Sequence, residues 1–155
     1  MVSSEAQVTD AFTAFFAGCE PRLRHALVAT CGFDVGREAT ADALEYAWRH
    51  WDRIESMDHP VAYLYRVGRS ASRKYRSRPH VADPAPESHD PWVEPHLEPL
   101  LERLSDRQRT AVVLRHSFGY TLGEIADVMG ISVSSVQKHV DRGLARLRKG
   151  LEVTR

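Results

Sequence analysis

Residues 121–147, TLGEIADVMGISVSSVQKHVDRGLARL, combine residue types and a spacing that suit contact with a nucleic acid. Small Ala126, then Gly130 four residues on, then aliphatic Val136 six after that, is the spacing of a helix-turn-helix. Ala126 lets two helices approach closely. Gly130 adopts a left-handed turn at little steric cost. Val136 seats the second helix on the first, and Ile125, Val128 and Ile131 complete the small core. The second helix should bury Val136, Val140, Leu144 and Leu147. Ser135, Gln137, Lys138, Asp141 and Arg142 then point outward near its N-terminal half, the part that enters a major groove. Lys138 and Arg142 lie one helical turn apart. One of them could pair bidentately with guanine while the other holds phosphate, and Asp141 could accept from cytosine N4 or repel phosphate. The competing reading is a plain helical hairpin with a solvated charged face.

A second cluster lies in residues 60–78. Arg66, Arg69, Arg73 and Arg76 recur at steps of three, four and three, which places them on one helix face. They flank a stripe of Val61, Leu64, Tyr65, Gly68, Ala71 and Tyr75. Such a face can hold the phosphates of an opened strand, with Tyr63 and the neighbouring Ser56, Met57, Asp58 and His59 around an unstacked base. A solvated basic face would look the same.

The elements that must carry these residues are helical throughout, and no strand alternation is visible. Val8, Phe12, Phe15 and Phe16 follow helical spacing, as do Leu44, Ala47, Trp48 and Trp51. Pro21 suits a helix start ahead of Leu23, Leu27 and Cys31. Gly32 and Gly36 should mark a turn. Asp58 and Pro60 open a helix through about Arg78. Ser105 with Gln108, and Thr121 with Glu124, have the capping-box pattern. Gly119 and Gly130 stand where helices should stop, and a last helix capped by Ser132 should run to about Lys149.

Six of the eight prolines fall within residues 79–99. Proline removes a backbone donor and disfavours helix in the residue before it, so this stretch reads as an extended linker. The chain then divides into a helical domain at 5–78, a linker at 79–99 and a second helical domain at 100–155. The fold class expected is all-α, two small helical domains joined by a Pro-rich acidic linker, the second one a helix-turn-helix. Net charge is zero over 155 residues, but it is unevenly placed. Residues 66–78 are basic without an acid. Residues 79–99 hold Asp83, Glu87, Asp90, Glu94 and Glu98 without Lys or Arg. Residues 100–155 are basic again, so local sign, not the total, fits a phosphate-rich partner. Two cysteines, Cys19 and Cys31, make no disulfide framework, and no CxxC or HxxxH pair suggests a metal. No Gly-rich phosphate loop or nucleophile–base arrangement suggests an enzyme or a cofactor. No apolar run approaches a membrane span, and the opening MVSSEAQVTDAF lacks a signal-peptide pattern, so a cytoplasmic protein without membrane contact is expected.

From Leu104 to Leu151 the sequence resembles the −35 reading domain of bacterial sigma factors, most clearly in LSDRQRTAVVLRHSFGYTLGEIADVMGIS. AYLYRVGRSASRKYRSR, residues 62–78, is similar to the helix of that family that melts and reads the −10 element. The two-domain layout resembles the extracytoplasmic-function (ECF) group. The resemblance implies a transcription initiation factor whose partners are core RNA polymerase and promoter DNA. An anti-sigma factor is a further partner common in the group. It also implies −35 contacts at Ser135, Gln137, Lys138, Asp141 and Arg142. It implies −10 contacts at Tyr63, Arg66, Arg69, Ser70, Arg73 and Arg76. Polymerase contacts would fall on Asp42, Glu45, Trp48 and Trp51 of ATADALEYAWRHW. Three positions depart from the usual pattern. Leu44 stands for a Gln, Tyr63 for a Trp, and Ser70 for an Asn. In that family the connector threads polymerase channels, which an acidic segment anchored by Trp92 would suit; a simple acidic tether is the alternative. Other functions compatible with these residues are a two-domain helix-turn-helix regulator, and a degenerate sigma-like protein that only binds polymerase.

Overall fold

A computed structural model describes residues 2–76 and 97–154, and all its regular elements are helices. They are α1 (Val2–Cys31), α2 (Phe33–Arg49), α3 (Trp51–Glu55), α4 (Pro60–Arg76), α5 (Leu97–Glu102), α6 (Asp106–His116), α7 (Leu122–Met129) and α8 (Val133–Thr154). The first four form one cluster and the last four a second. Residues 79–96 of the expected linker, Trp92 among them, lie outside the described residues. The remaining three, 97–99, open α5, where Pro99 falls in the first turn and no amide is lost to the helix.

Two expectations for the first cluster change. Pro21 does not begin a helix but lies inside the 30-residue α1. Its ring is exposed, while Cys19, Leu23, Ala26 and Leu27 continue one buried face across it. Packing of that face outweighs the one backbone bond that proline cannot make. Gly36 is not in the turn either. Gly32 alone turns the chain, at φ 89°. Gly36 is buried inside α2, where a Cβ would come within 2.5 Å of the Val28 Cα, so it permits close approach of α1 and α2.

The second cluster has the expected punctuation. Ser105 Oγ accepts from the Gln108 amide and Gln108 Oε1 accepts from the Ser105 amide, a complete capping box. Thr121 Oγ1 accepts from the Glu124 amide, but the Glu124 side chain does not return the bond, so only half of the expected second box forms. Gly130 closes α7 at φ 66°, ψ 34°. Ser132 Oγ accepts from the Ser135 amide at the start of α8. That helix extends to Thr154, past the expected end near Lys149.

The clusters share one core. Tyr65 of α4 is fully buried, with its ring 5.9 Å from that of Phe118, which follows α6. Arg22 of α1 donates to the Phe118 carbonyl at 3.0 Å and lies over its ring. Ala29 of α1 packs with Leu101, Leu104 and Val112. Cys19 and Cys31 are buried free thiols, and burial, with the charge of Glu20, pushes the Cys19 thiol up to about 11 against the pull of Arg22. No helix among the described residues is long and apolar enough to cross a membrane.

Candidate nucleic-acid interface

The outer face of α8 is built on a short, tightly turned pair. Ile125 and Ala126 of α7 are buried, and Val136 and Val140 of α8 are buried against that pair's core. Leu144 and Leu147 are half-buried and meet the small cluster around Leu101 and Leu104. This fixes the helix rotation. Gln137, Lys138, Asp141 and Arg142 consequently face solvent. Ser135 is half-buried and accepts from the Ser132 hydroxyl at 2.9 Å, so it belongs to the cap of α8. Gln137 Nε2 donates to Asp141 Oδ1 at 2.8 Å.

The face of α4 has a different environment. Arg66 donates to the carbonyl of Val128, in α7, at 2.6 Å. Arg69 is mostly buried; it donates to Cys31 Sγ at 3.3 Å and to Asp106 Oδ1 at 2.8 Å. Arg73 reaches Asp106 Oδ2 at 3.2 Å. Arg109 completes the cage around Asp106 at 3.5 Å while donating to the carbonyls of Leu101, Glu102 and Leu104. Partial burial opposes ionisation of Asp106, but the charges of Arg69, Arg109 and Arg73 prevail and hold its carboxyl below the ordinary value. Ser70 is exposed beside a cavity of about 300 Å³ lined also by Arg66, Arg69, Arg73, Asp106 and Arg107. Arg76 closes α4, and its side chain lies outside the described residues.

Tyr63, at the start of α4, is half-buried. Its hydroxyl lies 3.2 Å from that of Tyr46 and accepts from Arg53 at 3.1 Å, with the guanidinium over the ring. The bond with Tyr46, together with burial, raises its pKa against the opposing charge of Arg53. His59, expected in a base-cradling loop, packs edge-on against Tyr120 of the second cluster at 5.7 Å. Asp106, Phe118, Tyr120 and Val128 carried no local signal for this junction. Asp106 in particular reads as an ordinary first-turn acid of α6.

The residues expected to meet polymerase lie on α2 and α3. Asp42 pairs with Lys74 at 2.7 Å and accepts from the Tyr75 hydroxyl at 2.6 Å, so it ties α2 to α4. Glu45 pairs with Arg49 along the exposed side of α2. Trp48 is 48 % exposed, and its ring packs edge-on against Phe12 at 4.9 Å. Trp51 is only 7 % exposed and packs against Phe12 and Phe15, so it supports this surface from below. Phe12, Phe16, Leu44 and Trp48 line an apolar groove between α1 and α2, rimmed by Arg24 and Arg37.

Residues 97–147, the stretch that contains α6, α7 and most of α8, match the family described as Sigma-70, region 4. RNA polymerase sigma factor CarQ of Myxococcus xanthus is 30 % identical over 158 residues, covering 90 % of this chain and 88 % of that protein. The chain belongs to the bacterial sigma factors of the ECF group. RNA polymerase sigma-E factor of Streptomyces coelicolor is 34 % identical over 119 residues, covering 70 % of this sigma factor and 67 % of that one. Sigma factor SigF of Mycobacterium tuberculosis is 46 % identical over 56 residues, but the chain spans only 22 % of SigF. Among solved structures, the fold is similar to that of sigma factor RpoE in complex with the anti-sigma factor NepR from Bartonella quintana. There the TM-score is 0.72 at 22 % identity, covering 94 % of this chain and 99 % of that one. CnrH in complex with the cytosolic domain of CnrY gives a TM-score of 0.70 at 22 % identity, covering 96 % and 94 %.

Proposed function

We propose that this sigma factor binds core RNA polymerase and directs it to promoters with two DNA-reading faces. The observation that carries this reading is the α7–turn–α8 geometry. It acts as a helix-turn-helix whose second helix carries Gln137, Lys138, Asp141 and Arg142 on the outer face turned to the −35 duplex, with Ser135 fixing the helix start. The −10 strand is assigned to α4, through Tyr63, Arg66, Arg69, Ser70, Arg73 and Arg76. The exposed edge of α2, with Glu45 and Trp48 over Trp51 and Asp42 bracing α4, is the polymerase contact. Domain bounds of 5–78 and 100–155, with an acidic Pro-rich linker at 79–99, fit this division of labour.

Val128 and Asp106 already engage Arg66, Arg69 and Arg73, and Arg69 is mostly buried, so −10 reading by the whole set calls for the clusters to part. RpoE was solved with the anti-sigma factor NepR, and CnrH with the cytosolic domain of CnrY. An anti-sigma factor that keeps the clusters together is the corresponding partner here. The engaged arginines also favour a second reading, a sigma-like protein that holds polymerase without opening DNA. Mixing the purified chain with core polymerase and a promoter library separates the two. Promoter-specific transcripts with permanganate-reactive thymines support initiation. Stable polymerase binding without reactivity supports the second reading.

A further inference from the structure

Asp141 is a carboxylate on a face otherwise suited to a polyanion. It is exposed on α8 between Lys138 and Arg142 in sequence, where an acid next to phosphate costs affinity. Its one observed bond gives it another task. Asp141 Oδ1 accepts from Gln137 Nε2 at 2.8 Å, one helical turn away.

A glutamine amide is otherwise ambiguous. Turned one way it presents an oxygen, turned the other way it presents nitrogen, and the two ends differ little in shape. A carboxylate accepts only from nitrogen, so Asp141 fixes which end faces it. Of the two hydrogens on Nε2, one points away from the amide oxygen and one lies beside it. Giving Asp141 the first leaves the oxygen and the second hydrogen side by side, an acceptor next to a donor. That edge matches adenine in the major groove, where N6 donates and N7 accepts. Guanine offers two acceptors there, O6 and N7, and would need both amide hydrogens, one of which is committed.

We propose that Asp141 is a positioning residue that orients Gln137 to read adenine, and does not itself contact DNA. This rests on the reading of α8 as the duplex-reading helix. Lys138 and Arg142 supply the positive charge that offsets the acid. Part of the base preference of this sigma factor is therefore set by a residue that touches no base.

The test uses the full-length chain assembled with core polymerase and a promoter library randomised through the −35 element. A bidentate amide–adenine pair discriminates by ~1–3 kcal/mol, about 5- to 150-fold. The parent should select adenine at one position, and Gln137→Ala should lose that preference. Asp141→Ala should reduce adenine-over-guanine selection about tenfold at that position alone, although Gln137 is intact. Asp141→Asn keeps an acceptor oxygen without the charge and should retain selection. Far-UV circular dichroism checks that the exposed substitutions leave α8 folded. If Asp141→Ala keeps adenine selection and tightens binding to all sequences alike, the acid merely repels phosphate and the proposal fails. It fails also if Asp141→Asn behaves like Asp141→Ala, or if Asp141→Ala instead loses a cytosine preference. If Gln137→Ala, Lys138→Ala and Arg142→Ala shift selection at no position, the assignment of α8 itself is wrong, a different failure from that of Asp141 alone.

Discussion

On α8, Lys138 and Arg142 stand in solvent, held only by the rotation that Val136 and Val140 impose on the helix. On α4, Arg66, Arg69 and Arg73 also share a face, yet each has a protein partner in the second cluster. The α8 face is open as it stands, and the α4 face is already partly occupied by the protein itself. A spacing of three and four residues shows which side chains can act together. It says nothing about whether something already occupies them. That depends on contacts between residues 33–62 positions apart in the chain.

The comparison breaks most strongly at Phe118. Its ring packs on Tyr65 beneath the Arg22 guanidinium and joins the two clusters. Phe118→Ala should cost about 3–5 kcal/mol, as expected for a buried aromatic. It should also loosen the junction before the rest of the first cluster unfolds. Urea melts report the first effect. Faster thiol labelling of Cys31, which lies against Arg69 at the junction, reports the second. A simple loss of stability with Cys31 still protected until global unfolding would show that the clusters do not separate as units.

A smaller effect should appear on the face that is already free. Lys138→Ala and Arg142→Ala should each weaken −35 duplex binding, by about 1–3 kcal/mol for a side chain that reads a base. A phosphate contact would instead weaken all sequences alike and flatten the salt dependence. Neither should change the unfolding free energy from urea melts by more than a few tenths of a kcal/mol, because both side chains are exposed. Arg69→Ala should differ in its effect on the fold. It should lower stability, because its side chain is mostly buried and bonded to both Cys31 and Asp106.

Much of this was legible in the sequence because it is local. The Ser105–Gln108 box, the Thr121 cap, the Gly130 turn and the rotation of α8 each depend on residues within a turn or two, and each stands as expected. What was not legible is long-range. Pro21 reads as a helix start until the continuous buried face around it is seen. Gly36 reads as a turn until Val28 is placed against it. Trp51 reads as a surface aromatic until Phe12 and Phe15 cover it. Asp106 gives no hint of three arginines. The Asp141–Gln137 bond is the exception, a local pair that spacing permits but that only the geometry reveals.

Asp106 offers a finer adjustment. Asp106→Asn removes the charge that Arg69 and Arg73 share across the junction. Arg109 keeps its three backbone carbonyls, so α6 should stay folded. The carboxylate is 62 % exposed, and exposed ion pairs contribute about 0–1 kcal/mol. Single-stranded −10 DNA should therefore bind the variant at most about fivefold more tightly, and high salt should erase the difference.

The smallest effect is set by pH, and its sign follows from the direction of the shift. The Asp106 carboxyl is held below its ordinary value of 3.8 when the clusters are together, burial notwithstanding, by Arg69, Arg109 and Arg73. Once the clusters part, Arg69 and Arg73 no longer face it and the value rises. A group depressed in the closed form stabilises that form fully above its open-state value, and loses the contribution as pH falls through the depressed one. Acidification from about pH 5 to pH 3 should thus bias the junction toward opening by no more than about 1 kcal/mol, the size of an exposed ion pair, seen as a slightly larger mean radius of gyration in small-angle scattering. Asp42 is also depressed, by Lys74 and Tyr75 against burial, and it titrates in the same window. Its partners join α2 to α4 within the first cluster, so its loss weakens that cluster without parting the two. Asp106→Asn makes the distinction. The variant should already lack this contribution at pH 5 and expand less on acidification than the parent. Equal expansion of both proteins would assign the acid response to Asp42 and other carboxylates, and leave the Asp106 cage a passive contact.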